Sequence, residues 1–523
     1  MVWHIFKKDW KLMWRSAAAV VALQLAYAFI QFKGEFGKGN PVLDEFHTML
    51  VFLWLIAGMI WIVMLVHQDA LPGTRQDWLT RPIRRTDVLV AKVMFAALVV
   101  QGSTIAGDLL QGLGSGFPMG QSLRAAMARA AIGFIAITIP ALVIGALTQS
   151  IADAMILSAV LGFGIFVFTI MAIALGGGYE HQFDPTNASG VEWIPNLLRF
   201  LMILVGGAIV MLAQYRTRKT FRGRIIMAAI LLLMLCSQAI PWKPVFAFEK
   251  RFSRQPGVAN EIALAWQPHA MPAENPISAD RFEFGMRVGN HNPNDDVRLL
   301  LPVLVTGLPT DSVLKEDNAE MVLTDAGGKR LYAVDGGPIE IRREGSQSGP
   351  VTYDQAAKIP VQVYQDNKDR SVRVETTYSM TLFKLNASYS MAVGGDRLIA
   401  VWGRCESKIN VAATAVEVRC MQMGKGPTCA TVFLEDPRDG SRNRPNTTCN
   451  PNYSPYVDRP IPDAVSHFRL VLPFRDPTGQ VKYAVDGSKM DGAQIVIRVY
   501  EPADHFTRAV TSPLVMMKDL AVH

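Results

Sequence analysis

The sequence predicts an α-helical polytopic membrane domain followed by an all-β, sandwich-like soluble region. Three observations carry this expectation. Nearly all long apolar runs lie before about residue 241. The short loops between those runs differ sharply in Lys and Arg content. Beyond about residue 243, short apolar alternations are separated by Pro, Gly and Asp turns.

A bilayer span needs about 20 mostly apolar residues. Seven runs approach that length, at roughly 16–32, 48–66, 88–112, 128–148, 153–176, 196–214 and 224–241. The first and last are short. Gly162, Gly164, Gly206 and Gly207 lie within the runs and would permit close helix packing.

Orientation follows from the loop charges. Lys7, Lys8, Lys11 and Arg15 precede the first run. Arg75, Arg81, Arg84 and Arg85 follow the second, and Arg216, Arg218, Lys219, Arg222 and Arg224 surround the turn after the sixth. The alternate loops carry only Lys33, Lys38, Arg124 and Arg129 at their edges, and residues 177–195 contain no Lys or Arg. The N-terminus is therefore expected in the cytoplasm, in a multi-pass protein of the cytoplasmic (inner) membrane. With seven crossings, everything after about residue 241 falls on the outer side. The net charge of +7 is explained by these loops, so the expected partner surface is a lipid bilayer and not nucleic acid.

The stretch from Trp3 to Arg15 is amphipathic. Trp3, Phe6, Trp10, Met13 and Trp14 recur at helical spacing, opposite Lys7, Lys8 and Lys11. This fits a helix lying in the headgroup region; a basic flank fixing the first span is the alternative.

The five cysteines divide unevenly. Cys236 sits in the last apolar run and reads as a packing residue. Cys405, Cys420, Cys429 and Cys449 cluster in the soluble half, and an even cluster in an oxidising compartment reads as two disulfides. Neighbour pairing, Cys405 with Cys420 and Cys429 with Cys449, is favoured among three connectivities. A zinc site competes poorly, because no C-x-x-C pair is present.

In the outer half, Val361–Tyr364, Val372–Glu375, Phe468–Leu472 and Ile495–Tyr500 read as strands, and Asp335-Gly336, Asp439-Gly440 and Asp486-Gly487 as hairpin-type turns. Residues Asp325 to Gly336 recur as Asp476 to Gly487 with Asp, Gly, Tyr and a closing Ala-Val-Asp-Gly at the same spacing. Two related β-domains are expected, roughly 245–395 and 396–523, after a membrane domain at 1–241. Convergence on a good hairpin is the alternative. Ser312-Val313-Leu314-Lys315 matches S-x-x-K without the companion motifs of a penicillin-interactive site. His269, His291, His467 and His505 are scattered, so no catalytic constellation and no metal site is expected.

The loop after the second run, about 69–92, is long for a connector. Gly73-Thr74 could open a short helix with Asp77-Trp78-Leu79 on it, and Arg81-Pro82 would end it. Thr86 could cap the next helix. Gly73-Thr74, Asp77-Trp78-Leu79-Thr80-Arg81-Pro82-Ile83, Leu89 and Lys92 together resemble the segment after the second span in the ABC-2 type family of ABC transporter permeases. The basic amphipathic stretch from Phe6 to Arg15 also looks like that family's N-terminal helix. The resemblance covers about residues 1–214, the family's usual six spans. The seventh run and the large C-terminal half depart from it.

The resemblance implies that Asp77, Trp78, Leu79, Arg81, Pro82, Arg84 and Arg85 dock a separate ATPase subunit. It also implies that two membrane subunits, a homodimer or a paired permease, work with two ATPase chains. ATP would be used by the partner; no G-x-x-x-x-G-K-[ST] occurs in this chain. The bland reading of Arg81, Arg84 and Arg85 is charge that only fixes topology. Inside the spans, Asp108 is a functional candidate by its depth, although a position near the outer end favours its simply reaching water. Asp153 reads as a helix cap. The expected function is thus the membrane subunit of an ATP-driven transporter; the alternative is a membrane-anchored receptor or scaffold that displays the β-domains.

Overall fold

The computed structural model describes the chain except residues 37–40, 69–83, 176–192, 238–241, 268–295, 337–339, 344–350, 400–402, 411–414, 424–428, 439, 443–445, 450–464, 474–491 and 523. Residues 2–33 contain neither Gly nor Pro, so nothing interrupts helical hydrogen bonding there. They form one continuous helix, α1 (Val2–Phe36). The amphipathic start and the first apolar run are a single rod, where the pattern predicted a separate interfacial helix.

The helices that follow are α2 (Pro41–His67), α3 (Arg85–Gly114), α4 (Met119–Leu147), α5 (Ile151–Leu175), α6 (Trp193–Thr217), α7 (Thr220–Cys236) and α8 (Trp242–Glu249). Five helices among the described residues are long and apolar enough to cross a membrane: Val2–Ile30, Met49–His67, Arg85–Gly114, Met119–Leu147 and Asn196–Thr217. The described apolar part of α5, Ile151–Val167, is shorter. α7 has 17 residues, about 26 Å of helix against a hydrocarbon core of about 30 Å. α3 begins at Arg85 with Arg84 at its N-cap and no side-chain cap, so Thr86 lies inside the helix and does not cap it.

The bundle core gathers on Phe95 of α3, which is fully buried. Phe6 and Trp10 of α1 and Trp61 of α2 meet its ring edge-on, with centroids 5.2, 5.9 and 5.3 Å away. A Cβ at Gly207 would come within 2.3 Å of Ile139 on α4, and one at Gly206 within 2.7 Å of Ile230 on α7. These two glycines let α6 approach both neighbours. Gly162 and Gly164 face open space instead.

Beyond α8 the chain is β-rich. Before residue 395 lie β1 (Ala263–Trp266), β2 (Asp296–Thr306), β3 (Ser312–Asp325), β4 (Arg330–Gly336), β5 (Glu340–Arg343), β6 (Val351–Pro360) and β7 (Ser371–Ala392). After it come β8 (Asp396–Ile399), β9 (Gly403–Asn410), β10 (Ala415–Met423), β11 (Cys429–Asp436), β12 (Ser441–Arg442) and β13 (Asn446–Thr448). They are followed by β14 (Val465–Pro473), β15 (Gln494–Thr511), β16 (Val515–Met516) and β17 (Ala521–Val522). One sheet has the order β1-β2-β17 with β6 on β2, and another β14-β10-β9-β8. The nine-stranded sheet runs β12-β11-β15-β7-β3-β4, with β13, β16 and β5 at its sides.

This topology does not separate at 395/396. β7 pairs with β15 from Glu375↔Thr511 to Ala392↔Gln494, and β17 returns to β2. The two expected halves therefore share their longest ladder. The first copy of the repeat extends β3 within the nine-stranded sheet; the second, Asp476–Gly487, lies outside the described residues.

Two local expectations are corrected. Val361–Asn367 forms a short helix, α9, after Pro360. Its buried Tyr364 and Asn367 stand three residues apart, so an apolar run too short to fix a period reads equally well as one helical turn. Asp335-Gly336 is not a hairpin turn: it sits within the ladder, opposite Glu320 and Ala319. The turn is Asp325–Lys329, where Asp325 Oδ1 accepts from Gly327 N and Lys329 N at 2.9 Å each and Gly328 adopts φ 82°.

The helical bundle meets the sheets at the turn between α3 and α4. The turn between α3 and α4 carries Phe117, which is buried with Met423 of β10 and Val465 of β14. A Cβ at Gly112 would fall 2.6 Å from Met423 Sδ, and one at Gly403 would fall 2.0 Å from Met421 O and 2.9 Å from Phe117. At Gly403, where φ is 85° and the close atom is backbone, only glycine permits this approach.

Candidate functional site in the helical bundle

An apolar span has no use for polar side chains unless they are paired, because hydrocarbon offers no water to satisfy them. α3 nevertheless buries Lys92, Gln101, Ser103, Thr104, Asp108 and Gln111. Gln101, Thr104, Asp108 and Gln111 recur at the spacing of one helix face, forming a polar ladder. Ser103 and Thr104 hydroxyls donate back to Val100 O at 3.0 and 2.9 Å.

The remaining rungs reach neighbouring helices. Lys92 Nζ lies 2.9 Å from Asp9 Oδ2 of α1. Asp108 forms an ion pair with Arg129 of α4. Gln111 Nε2 donates to Ala28 O of α1 at 2.8 Å. Gln101 meets Thr138 Oγ1 of α4 at 2.9 Å. With its amide oxygen turned toward Phe134 N at 3.3 Å, the Gln101 nitrogen donates to Ala130 O at 3.0 Å. That orientation satisfies both ends of the amide.

Gln101 and Thr138 also mark two irregularities at the same place. Ala97–Gln101 in α3 and Phe134–Thr138 in α4 are π-helical, and each widens its helix by one residue. Gly133 makes room for the bridge, since a Cβ there would stand 3.2 Å from Gln101 Oε1.

The arrangement joins helices and contains no nucleophile beside a base. Each ion pair combines one cation with one anion. The Asp9–Lys92 pair ties α1 to α3 close to the basic loops, and Asp108–Arg129 ties α3 to α4 toward the joint with the sheets. Among the described residues, no group of three or more His, Cys, Asp or Glu side chains could hold a metal ion.

Asp108 is thus corrected: it is 1% exposed and held by Arg129, not turned to water. Arg129, read from the sequence as a loop-edge charge, is 6% exposed inside α4. Asp9 was not singled out by pattern, and Lys92 was read only as the end of the segment resembling a permease coupling region, not as an ion-pair partner. An acid among lysines and a Lys at an apolar position of a span were the available signals.

Of the expected docking residues, Asp77, Trp78, Leu79, Arg81 and Pro82 lie outside the described residues. Arg84 is exposed. Arg85 Nη1 donates to Arg216 O at 2.8 Å and to Tyr215 O at 3.4 Å, so it binds carbonyls at the C-terminal end of α6, where a cation is favourable. Asp153 acts as a cap: its carboxylate accepts from Gln149 N at 3.0 Å while its own N–H donates to Ser150 Oγ at 3.1 Å. Arg224 joins it, 3.4 Å away.

In the β region Cys405 is bonded to Cys420, and Cys429 to Cys449. The first bridge links directly opposed residues of β9 and β10. Cys236 is exposed at the end of α7, not packed as the sequence suggested.

No family model matches the chain, and no curated protein matches it. Among solved structures, red sea bream transglutaminase aligns with 42% of this chain and 29% of its own at 9% identity, with a TM-score of 0.12. A likeness so slight carries no argument about fold or activity.

Proposed function

We propose that this chain is the membrane subunit of an ATP-driven transporter of the ABC-2 type, energised by a separate ATPase that docks on the loop at 69–92. The observation that carries the reading is the Asp9–Lys92 pair. Lys92 ends the segment that resembles the permease coupling region, and Asp9 lies on the basic N-terminal helix that resembles the same family. Their buried ion pair makes the two a single mechanical body. A push on the loop would move α1 and α3 together, and the polar ladder would carry it to α4. The subunit needs packing contacts for this work, not catalytic groups. ATP would be consumed by the partner, and a homodimer or paired permease would complete the assembly.

We further propose a cytoplasmic N-terminus in the inner membrane and an extracytoplasmic β region. Two independent features support that orientation. α3 begins at the Arg-rich end, where Arg85 meets Arg216, and its far end abuts β10 and β14 at Phe117. This contact supports a β region at the end opposite the positive loops. The disulfides agree with an oxidising compartment.

Copurification tests the function. The full chain in nanodiscs is expected to retain a Walker-type ATPase and stimulate it. Trp78→Ala with Leu79→Ala should abolish stimulation without loss of insertion. A chain that retains no ATPase under any mild solubilisation would leave the receptor or scaffold reading, in which the helices only display the β region.

A further inference from the structure

The β region buries a second set of ionisable groups, away from the bundle, where α8 lies on the nine-stranded sheet. β3 and β15 both carry irregularities here: the register shifts between Glu316 and Asn318 on β3 and between Pro502 and Asp504 on β15. An extra residue in a strand re-aims side chains. The result brings Asp317, Thr381 and His505 from three adjacent strands into one hydrogen-bonded row. Thr381 Oγ1 donates to Asp317 Oδ2 and lies 2.8 Å from His505 Nδ1. His505 Nε2 faces Glu249 Oε1 of α8 at 4.0 Å.

We propose that Asp317, Thr381 and His505 form a proton-responsive latch, which sets how firmly α8, the link between α7 and the β region, is held against the sheet.

The chemistry follows from one hydroxyl hydrogen. When Asp317 is ionised, the Thr381 hydroxyl donates to it. His505 Nδ1 must then donate to Thr381 Oγ1, and in a neutral imidazole Nε2 is left bare. That lone pair faces the Glu249 carboxylate, so two acceptors oppose each other and the contact stays open. Uptake of one proton reverses this wherever the proton resides. On His505 it gives Nε2–H directly. On Asp317 the carboxylic acid donates to Thr381, whose hydroxyl turns to Nδ1, and the imidazole hydrogen moves to Nε2. On Glu249 the new O–H donates to Nε2. In each case one hydrogen enters the gap and α8 is bound.

Every packed element contributes charge to this row. β3 supplies Lys315, 3.5 Å from Asp317, and the buried Glu316 beside it. β7 supplies Tyr378 near Glu316. β15 supplies Asp504, whose Oδ2 accepts from Gly257 N and Ala259 N at 2.9 and 3.2 Å. α8 supplies Glu249, and its Lys243 pairs with Glu320 at 2.5 Å on the exposed face. Burial pushes the Asp317 carboxyl up to about 6 against the opposing pull of Lys315, and burial lowers the His505 imidazole. Proton uptake by the row thus falls in the mildly acidic range. α8 itself rests on Val245 and Phe246, both buried, and Phe246 meets His505 edge-on at 6.2 Å. A change at His505 is therefore felt directly by the helix.

Hydrogen exchange of the full chain in nanodiscs reads the latch. After correction for intrinsic chemistry, amides of residues 242–252 should open at least about threefold less often near pH 5.5 than near pH 8. Asp317→Asn supplies a permanent donor to Thr381, and should give the protected state at both pH values. Glu249→Gln, at the edge of the row, should also remove the pH response while leaving the sheet intact. An unchanged α8 exchange in the wild-type chain across this range would overturn the proposal, as would a full pH response in folded Glu249→Gln.

Discussion

Lys92 Nζ stands 2.9 Å from Asp9 Oδ2, and both side chains are fully buried. Removing one partner strands a charge, so Lys92→Met or Asp9→Leu alone should cost about 3–5 kcal/mol. The double variant should recover most of that loss, because it removes both desolvation costs at once. Thermal unfolding of the four proteins in detergent measures the coupling. Additive losses would mean that the two side chains act independently.

The Gln101 amide bridges α3 to Thr138 of α4 at 2.9 Å. Gln101→Leu leaves Thr138 and the widened turn at Phe134 without it, and should destabilise the bundle by about 1–3 kcal/mol. Hydrogen exchange should rise at 134–138 first. Unaltered exchange there would show that the π-helical turn holds without the bridge.

Gly112 sits where α3 meets β10, and any Cβ there would press within 2.6 Å of Met423 Sδ and Ser122 Oγ. Gly112→Leu should therefore loosen the joint, exposing β10 and the Phe117 turn, while β7 and β15 keep their protection. Protease cleavage or hydrogen exchange mapped by strand distinguishes this from general unfolding.

The β region should lose stability as pH rises through about 6. Asp317 titrates near 6 in the fold against 3.8 for the ordinary carboxyl, because burial disfavours its charge. The folded state binds the extra proton in that window, so its contribution is whole below pH 3.8 and lost above 6, about 3 kcal/mol for the full shift. Glu316, raised by burial and by Asp317, acts in the same direction. His505 opposes them: its value is lowered by burial, so its contribution is lost as pH falls. Denaturant titrations near pH 4.5 and pH 7 on wild type and Asp317→Asn isolate the carboxyl; the variant should show the flatter profile.

Of five cysteines, Cys236 alone is free. A maleimide applied to denatured, unreduced protein should therefore label one thiol, and all five after reduction. Reduction should also lower the stability of the β region by about 2–4 kcal/mol per bridge.

The sequence by itself determined the division into apolar helices and alternating strands, because hydrophobic period and run length are local properties. It also located the cysteine pairs, since β9 and β10 are close in sequence and oppose Cys405 to Cys420. It reached Asp153 as a cap for the same reason: the partners are three and four residues away. Only the tertiary structure decided the rest. Asp108 became a buried ion pair because α4 brings Arg129 to it across 21 residues, and Lys92 meets Asp9 across a whole span. β7 and β15 join halves that the internal repeat had divided, and the latch row draws on residues 64 and 124 positions apart. A charge buried in a helix or sheet is tolerable only with a partner, and which partner arrives is fixed by packing, not by its distance along the chain.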